Sequence, residues 1–427
     1  MGNGKGFPQG DGVRYRLKGM DMRVPFLALA ASIYISISVY EALLVLVVLF
    51  FFFTYRGNDG SRLAGLRGDF TVPVILYIVG MTVPTLLFAV HSRYAGQGFA
   101  RAFFALAYLP ALAVQADARL LKRYGYIIFA GGILWAATAY IKFFVFRAPA
   151  PHGLWGSQFE LGNLVSLSAM VALGMIVSSS AEDGLWKVLS VLAFFFMAST
   201  IVLTFERTAW LDLGFGTAFF LYVSLGHMKI RNRSLVLAGL ALVLMLGVSL
   251  GLFARHDQRF LLIGRIIAGE KVTYKEMNTI TSGRLYKLDA AFRVVRSDIR
   301  HGRYLNLLIG HGFRAGAALR GINYGPLPVT SSFESVSFVS EYIDDGLLGL
   351  AYMVLIYIYF LRLLSRLKGI RVDDRRSLFM VYGIAAGIGA YLFGSLFNIF
   401  VTPPFFFYLF LLGAVESFVR KGTVRKA

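Results

Sequence analysis

Long apolar runs alternate along the chain with short polar connections, and one connection is unlike the others. A helix that crosses a bilayer needs roughly 20 apolar residues, with a range of about 17–25. Runs of that kind lie near 71–90, 102–117, 126–146, 161–179, 187–204, 209–226 and 235–253, and again near 341–363, 377–399 and 402–419. The stretch from Val24 to Thr54 is too long for one crossing and is interrupted by Glu41, so it reads as two short helices. The pattern predicts an all-α polytopic membrane protein with about 12 transmembrane helices. Only the polar stretch 254–337 is long enough to fold into something of its own. It separates an N-terminal bundle of about nine spans (1–253) from about three C-terminal spans and a basic tail (338–427).

Charge fixes the expected orientation. Basic residues collect at the N-terminus (Lys5, Arg14, Arg16, Lys18, Arg23) and then in alternate loops, the last of which holds Arg362, Arg366, Lys368, Arg371, Arg375 and Arg376. The intervening short loops are poor in Lys and Arg; the exception to the pattern is Ser178–Gly184, which falls among the loops expected to be basic and carries no basic residue. Cytoplasmic loops are the basic ones, so both termini are expected in the cytoplasm and the large loop outside. A long loop translocates largely regardless of its own charge. The basic N-terminus precedes an apolar run with no small-residue cleavage site, the pattern of a retained signal anchor.

Composition agrees. The chain is 57% hydrophobic and only 15% charged, against roughly 25% in soluble domains. A net charge of +20 would suggest nucleic acid in a soluble protein. Here the excess sits between apolar runs, so membrane topology accounts for it and no nucleic-acid partner is expected. The absence of Cys excludes disulfides and thiolate metal sites, and the six His show no helical metal-ligand spacing. No metal and no cofactor are expected.

Three stretches could carry chemistry. Thr204-Phe-Glu-Arg-Thr-Ala-Trp210 lies at the expected outer mouth between two spans, where Arg207 could offer a planar fork of donors to a phosphate. A Glu206–Arg207 pair marking a helix end is the bland alternative. In Thr281-Ser-Gly-Arg-Leu285, Gly283 permits an unusual turn and Arg284 opens a helix whose free N–H groups favour an anion. Along that helix Leu285, Leu288, Phe292, Val295 and Ile299 form an apolar stripe. It fits a helix packed on the loop's own core, or one lying in the membrane plane with its basic face to lipid phosphates. The third stretch, Phe333-Glu-Ser-Val-Ser-Phe338, precedes Gly346-Leu-Leu-Gly349. Burial would raise the pKa of Glu334 and suit it to take a proton from a sugar hydroxyl; a helix-start carboxylate favoured by the dipole is the other reading. Glu341, Asp344 and Asp345 follow closely, as dipole partners or as the lining of a polar groove. His301 and His311 could serve as a base or be plain surface groups.

In these stretches the chain resembles the O-antigen polymerase and O-antigen ligase superfamily, across most of its length. Thr204–Trp210 is similar to the family's Thr/Ser–Arg–small–Trp pattern at an external helix end. Ser282-Gly-Arg284 resembles its Ser-Gly-Arg at the start of a loop helix, and Gly310-His-Gly-Phe313 its Gly-x-Gly-like turn. Gly346–Gly349 matches its Gly-Leu-x-Gly span start. Ligases of this superfamily carry a His about eleven positions before that first Gly; here the position is Ser335, with Glu334 beside it, as in the polysaccharide polymerases.

The resemblance implies a metal-independent, inverting glycosyltransferase in the bacterial inner membrane, its active site facing the periplasm. It would polymerise oligosaccharide repeat units carried on undecaprenyl pyrophosphate. Arg207 and Arg284 would meet the charge of the departing pyrophosphate, Glu334 would deprotonate the acceptor hydroxyl, and Arg293, Arg314, His311 and Ser335 would contribute to binding. Expected partners are the lipid-linked donor and acceptor, the bilayer, and a chain-length regulator or flippase. A ligase acting on lipid A core or another acceptor is the nearest alternative. A transporter is the other, with Lys142 and Glu41 as the residues it could claim, although no internal repeat is visible.

Overall fold

The computed structural model describes residues 16–17, 20–55, 66–91, 94–114, 116–148, 151–179, 184–204, 206–227, 258–314, 337–372, 374–397, 400 and 403–424. Apart from a two-residue antiparallel pair, Arg16–Leu17 with Met20–Asp21, the regular structure there is helical. The first bundle comprises α1 (Arg23–Ile35), α2 (Ile37–Tyr55), α3 (Thr71–Phe88), α4 (Ala95–Ala105), α5 (Tyr108–Ala113), α6 (Ala118–Tyr140), α7 (Gln158–Ser178), α8 (Gly184–Leu203) and α9 (Arg207–Ser224). The polar region holds α10 (Gln258–Ile267), α11 (Tyr274–Ile280), α12 (Arg284–Arg300) and α13 (Tyr304–Ile309). Then come α14 (Ser337–Lys368), α15 (Arg375–Gly394) and α16 (Pro404–Val424).

Helix starts follow from capping side chains. Asp117 accepts from Leu120 N at 2.8 Å to open α6, Ser157 and Glu160 form a reciprocal capping box on α7, and Asp374 accepts from the Arg376 and Ser377 amides to open α15. The almost wholly buried α7 and α15 form the centre of the bundle. Gly383 and Gly387 let them touch. A Cβ at Gly383 would stand 2.6 Å from Met170 O, and one at Gly387 2.4 Å from Leu167 Cδ1. Small residues one turn apart are how membrane helices approach backbone to backbone.

Among the described residues, seven helices are long and apolar enough to cross a membrane: α3, α6 with its extension to Val145, α7, α8, α9 to His227, α14, and α15 to Phe397. Several keep an apolar stripe exposed along their length. On α3 it is Val72, Ile75, Val79 and Leu86, and on α14 it is Leu347, Val354, Ile358 and Leu361. Stripes of that size are rare on soluble proteins and are what acyl chains cover. This is the architecture of a helical membrane protein.

The remaining expected spans fare differently. The 24–54 stretch does form two short helices, but the break is at Ser36, which is extended (φ −155°), and not at Glu41. The run 102–117 is no single span. It divides into α4 and α5, because Pro110 has no N–H to give and sits in the first turn of a new helix. The run 235–253 lies outside the described residues. The last run forms α16, which carries Glu416, Arg420 and Lys421.

The polar region packs on the start of α14. Ala290, Ala291 and Val294 of α12 bury against Ile343, with Val339 and Tyr342 beside it. This corrects the expected stripe: Phe292 and Ile299 point outward, 71% and 52% exposed. Two alanines let α12 lie close to α14, and the buried row continues through a charged residue, Asp298, which hydropathy alone would have turned to solvent.

Candidate functional site

Two arginines from separate segments converge on one hydroxyl, and a third stands close by. Arg207 opens α9, and its Nη2 donates to Ser282 Oγ at 2.5 Å. Arg259, on α10, donates to the same oxygen through Nη1 at 3.2 Å. Arg284, two residues beyond Ser282, donates through Nη2 to Phe397 O at 2.6 Å, at the end of α15. Burial lowers the pKa of the Arg284 guanidinium; the charge of Arg207 lowers it further, Glu206 opposes, and Arg259 adds a smaller push down. Like charges held this close are an invitation to an anion. The nearby carboxylate, Glu206, accepts from Thr208 Oγ1. Burial raises its pKa against the pull of that hydrogen bond and of Arg284 and Arg207.

The turn that presents Ser282 is tightly specified. Ser282 (φ 57°) and Gly283 (φ 82°) are both left-handed. Asn278 holds them: its carbonyl accepts from Gly283 N at 2.8 Å, and its Oδ1 accepts from Tyr286 N at 3.0 Å. Upstream, Glu276 accepts from Thr273 N at 2.7 Å in a capping box and from Arg265 Nη1 at 2.8 Å. The Thr273 amide bond first, then the Arg265 and Thr273 side chains, hold the Glu276 carboxyl down to about 2. A depressed acid stabilises the fold above its ordinary pKa and loses that contribution as pH falls through the folded value. Amide protection over Thr279–Gly283 should therefore be level at neutral pH and fall between about pH 4.5 and 2. Glu276→Gln should remove that step; equal protection at pH 3 and pH 6 in the unaltered protein would contradict the linkage.

Toward the other end of α12, where His311 meets Asp298, Gly310–Phe313 latches onto a break in α14. His311 N donates to Ile343 O at 3.0 Å and Gly312 N to Asp344 O at 2.9 Å. Arg314 N donates to Asp344 Oδ2 at 3.0 Å and Phe313 N to Thr85 Oγ1 at 3.0 Å. Gly346 lies at φ 65°, ψ −146°, and Gly310 at φ 83°, ψ −168°. Both are in a region essentially confined to glycine. Two motifs about 35 positions apart are therefore one structure. A small crevice next to it is lined by Arg101, Ser340, Glu341 and Asp344. Asp345 is fully buried, and neither of its carboxylate oxygens has a hydrogen-bond partner among the described residues.

The expected site residues thus part company. Arg207 and Arg284 are brought together, joined by Arg259, which nothing in the sequence distinguished from the other loop arginines. Arg293 is not in the group. It pairs with Asp289 at 2.6 Å on the exposed side of α12, nine residues or about 13 Å along the axis from Arg284. Arg314 stacks over Tyr94 (4.9 Å) and Phe313 (5.6 Å) and donates to Gln97 Oε1 at 3.3 Å, beside the latch. His311 is 9% exposed, and both ring nitrogens are engaged. Nδ1 is 3.1 Å from Ile343 O; Nε2 is 3.0 Å from the buried Asp298 Oδ2. Arg303 Nε meets the other Asp298 oxygen at 3.0 Å. The two contacts to Asp298 are close but off-line for hydrogen bonds, and the one from Arg303 is an ion pair. Glu334 and Ser335 lie outside the described residues. Lys142 is tied locally, donating to Gly153 O at 2.5 Å and lying 2.8 Å from His152 Nδ1. Among the described residues no three His, Cys, Asp or Glu side chains stand together to hold a metal ion.

No protein-family model matches the chain. It is similar to an uncharacterized protein of Aquifex aeolicus (strain VF5), 25% identical over 391 residues, a match covering 91% of this chain and 95% of that protein.

Proposed function

We propose that the protein is a membrane glycosyltransferase that polymerises oligosaccharide repeat units carried on undecaprenyl pyrophosphate, at the outer leaflet of the bacterial inner membrane, with both termini in the cytoplasm. One observation carries the reading. The Arg207–Arg259–Arg284 group stands at the head of an exposed apolar stripe on α9, formed by Leu211, Ala218 and Tyr222 with the half-buried Phe215 among them. A cationic head above an apolar track matches an anionic headgroup on a long hydrocarbon tail. The aromatic row continues through Phe397, stacked on Phe215 at 6.3 Å, whose carbonyl receives Arg284.

In the proposed reaction the acceptor hydroxyl oxygen forms a bond to the anomeric carbon from the side opposite the pyrophosphate. The bond from that carbon to the pyrophosphate oxygen breaks, the lipid pyrophosphate leaves with the electron pair, and the hydroxyl proton passes to a carboxylate. Positioned guanidiniums stabilise the charge that develops on the leaving group, and such preorganised charge is worth most where water is scarce. A pyrophosphate is already a good leaving group, so the reaction needs no metal. The base is assigned to Glu334 on the family resemblance. Inversion follows from the single displacement.

The base assignment has its own test. Glu334→Gln should abolish product formation, with a loss of about 10²–10⁴-fold for a positioned general base. His311→Ala should act through stability instead, since its ring nitrogens are already occupied. If Glu334→Gln keeps its activity while Glu206→Gln loses it, the base is Glu206, the carboxylate beside the arginines with its pKa raised by burial.

A further inference from the structure

At the opposite end of the bundle lies a cavity of about 1090 Å³ that the proposed reaction does not use. Its walls come from the start of α1, the start of α6, the residues just after α9, the end of α14 and the end of α16. Six cationic side chains line it, Arg23, Arg119, Arg123, Lys368, Arg371 and Lys421, against one carboxylate, Asp117, which is occupied as the cap of α6. Among the described residues no carboxylate pairs with Arg119, Arg123 or Arg371. The floor is apolar, with Leu120 and Phe418 buried beneath the charges.

We propose that this basin binds the phosphate headgroup of an anionic membrane lipid. Charge complementarity calls for an anion of more than one contact. The apolar floor and the level of the cavity select a lipid over a soluble ion. Along α9 the distance from Arg207 to His227, which lines the cavity, is 20 residues or roughly 30 Å, the thickness of a bilayer's hydrocarbon. The arginine group and the basin therefore stand at the two headgroup planes. Lys368 also lies over the ring of Tyr222 at 4.9 Å, so the apolar stripe of α9 runs down to the rim of the basin and gives an acyl chain a surface to follow. A bare tendency for basic residues to collect at a cytoplasmic surface would scatter them; here they surround one volume.

The test uses the full chain in neutral detergent and reads binding, so it is independent of glycosyl transfer. Short-chain phosphatidylglycerol, phosphatidylcholine and inorganic phosphate are titrated in turn, with bound lipid read by native mass spectrometry and the shift in Tm recorded. Saturable binding of phosphatidylglycerol is expected, with neither phosphatidylcholine nor inorganic phosphate binding over the same range. The combined Arg119→Gln, Arg123→Gln and Arg371→Gln protein should bind phosphatidylglycerol roughly 100-fold more weakly. The charge-matched combination Arg362→Gln, Arg375→Gln and Arg376→Gln, at the same end but outside the cavity, should bind as before. Equal weakening in both would reduce the effect to diffuse surface charge and overturn the proposal. Inorganic phosphate binding as tightly as the lipid would make the occupant a soluble anion. Absence of saturable lipid binding by the unaltered protein would end the proposal without any variant.

Discussion

Arg284→Ala is expected to abolish chain extension while leaving the protein folded and monodisperse in detergent. The side chain donates to Phe397 O, and weakly to Thr281 O, from the first turn of a loop helix that lies apart from the central α7–α15 pair of the bundle. What it removes is a charge held in place before the reaction begins. Loss of one such positioned donor costs about 10²–10³ in rate. Arg207→Ala should fall in the same range. Arg207→Lys should recover only part of the loss, because lysine keeps the charge and loses the planar fork. The two alanine changes together should cost little more than the worse of them, since groups that act on one departing anion act as a unit. Initial rates of product formation, with the folded fraction checked by size exclusion, decide this. Near-normal activity in Arg284→Ala removes it from the mechanism.

Gly346→Ala should be as damaging by a different route, through the loss of the packing between the polar region and α14. At φ 65°, ψ −146° an alanine carries strain of about 1–3 kcal/mol. Its Cβ would also stand 2.5 Å from Gly310 N. Relief of that clash must pull Gly310–Gly312 off the break. The amide bonds from His311 and Gly312 then go, at about 1 kcal/mol each. Gly310→Ala meets the same wall from the other side, with its Cβ 2.1 Å from Asp344 O. Both variants should show lowered Tm and protease-accessible loop residues near His311. Gly349→Ala does not isolate the latch, because its Cβ would meet Glu341 O instead. A Gly346→Ala protein with unchanged Tm would refute the latch as a structural element.

Seven of the expected spans were legible because helices that cross a membrane are long and predominantly apolar. Where the reading failed, local backbone chemistry outweighed hydropathy. Pro110 split a run that hydropathy made continuous, and Ser36 broke the first pair where a charged Glu41 looked the better place. On α12 the buried face was misassigned because its core is made of alanines and one ion-paired aspartate, residues that weigh little or negatively as hydrophobic signal. At the site, Arg207 and Arg284 could be singled out by their neighbours in sequence. Arg259 could not, for its part depends on where α10 packs and not on any motif around it. The Gly310 and Gly346 motifs were both visible, but their pairing was not, because it depends on two main-chain segments with the same glycine-only dihedrals meeting in space.

On the proposed function, the arginine group serves chain extension of a lipid-pyrophosphate-linked glycan. The most direct test gives the purified protein one such repeat unit and nothing else, then resolves the products on a gel. A ladder of added repeats, absent with Arg284→Ala, is the predicted result. A single unextended band, with the substrate shown to bind, would contradict it.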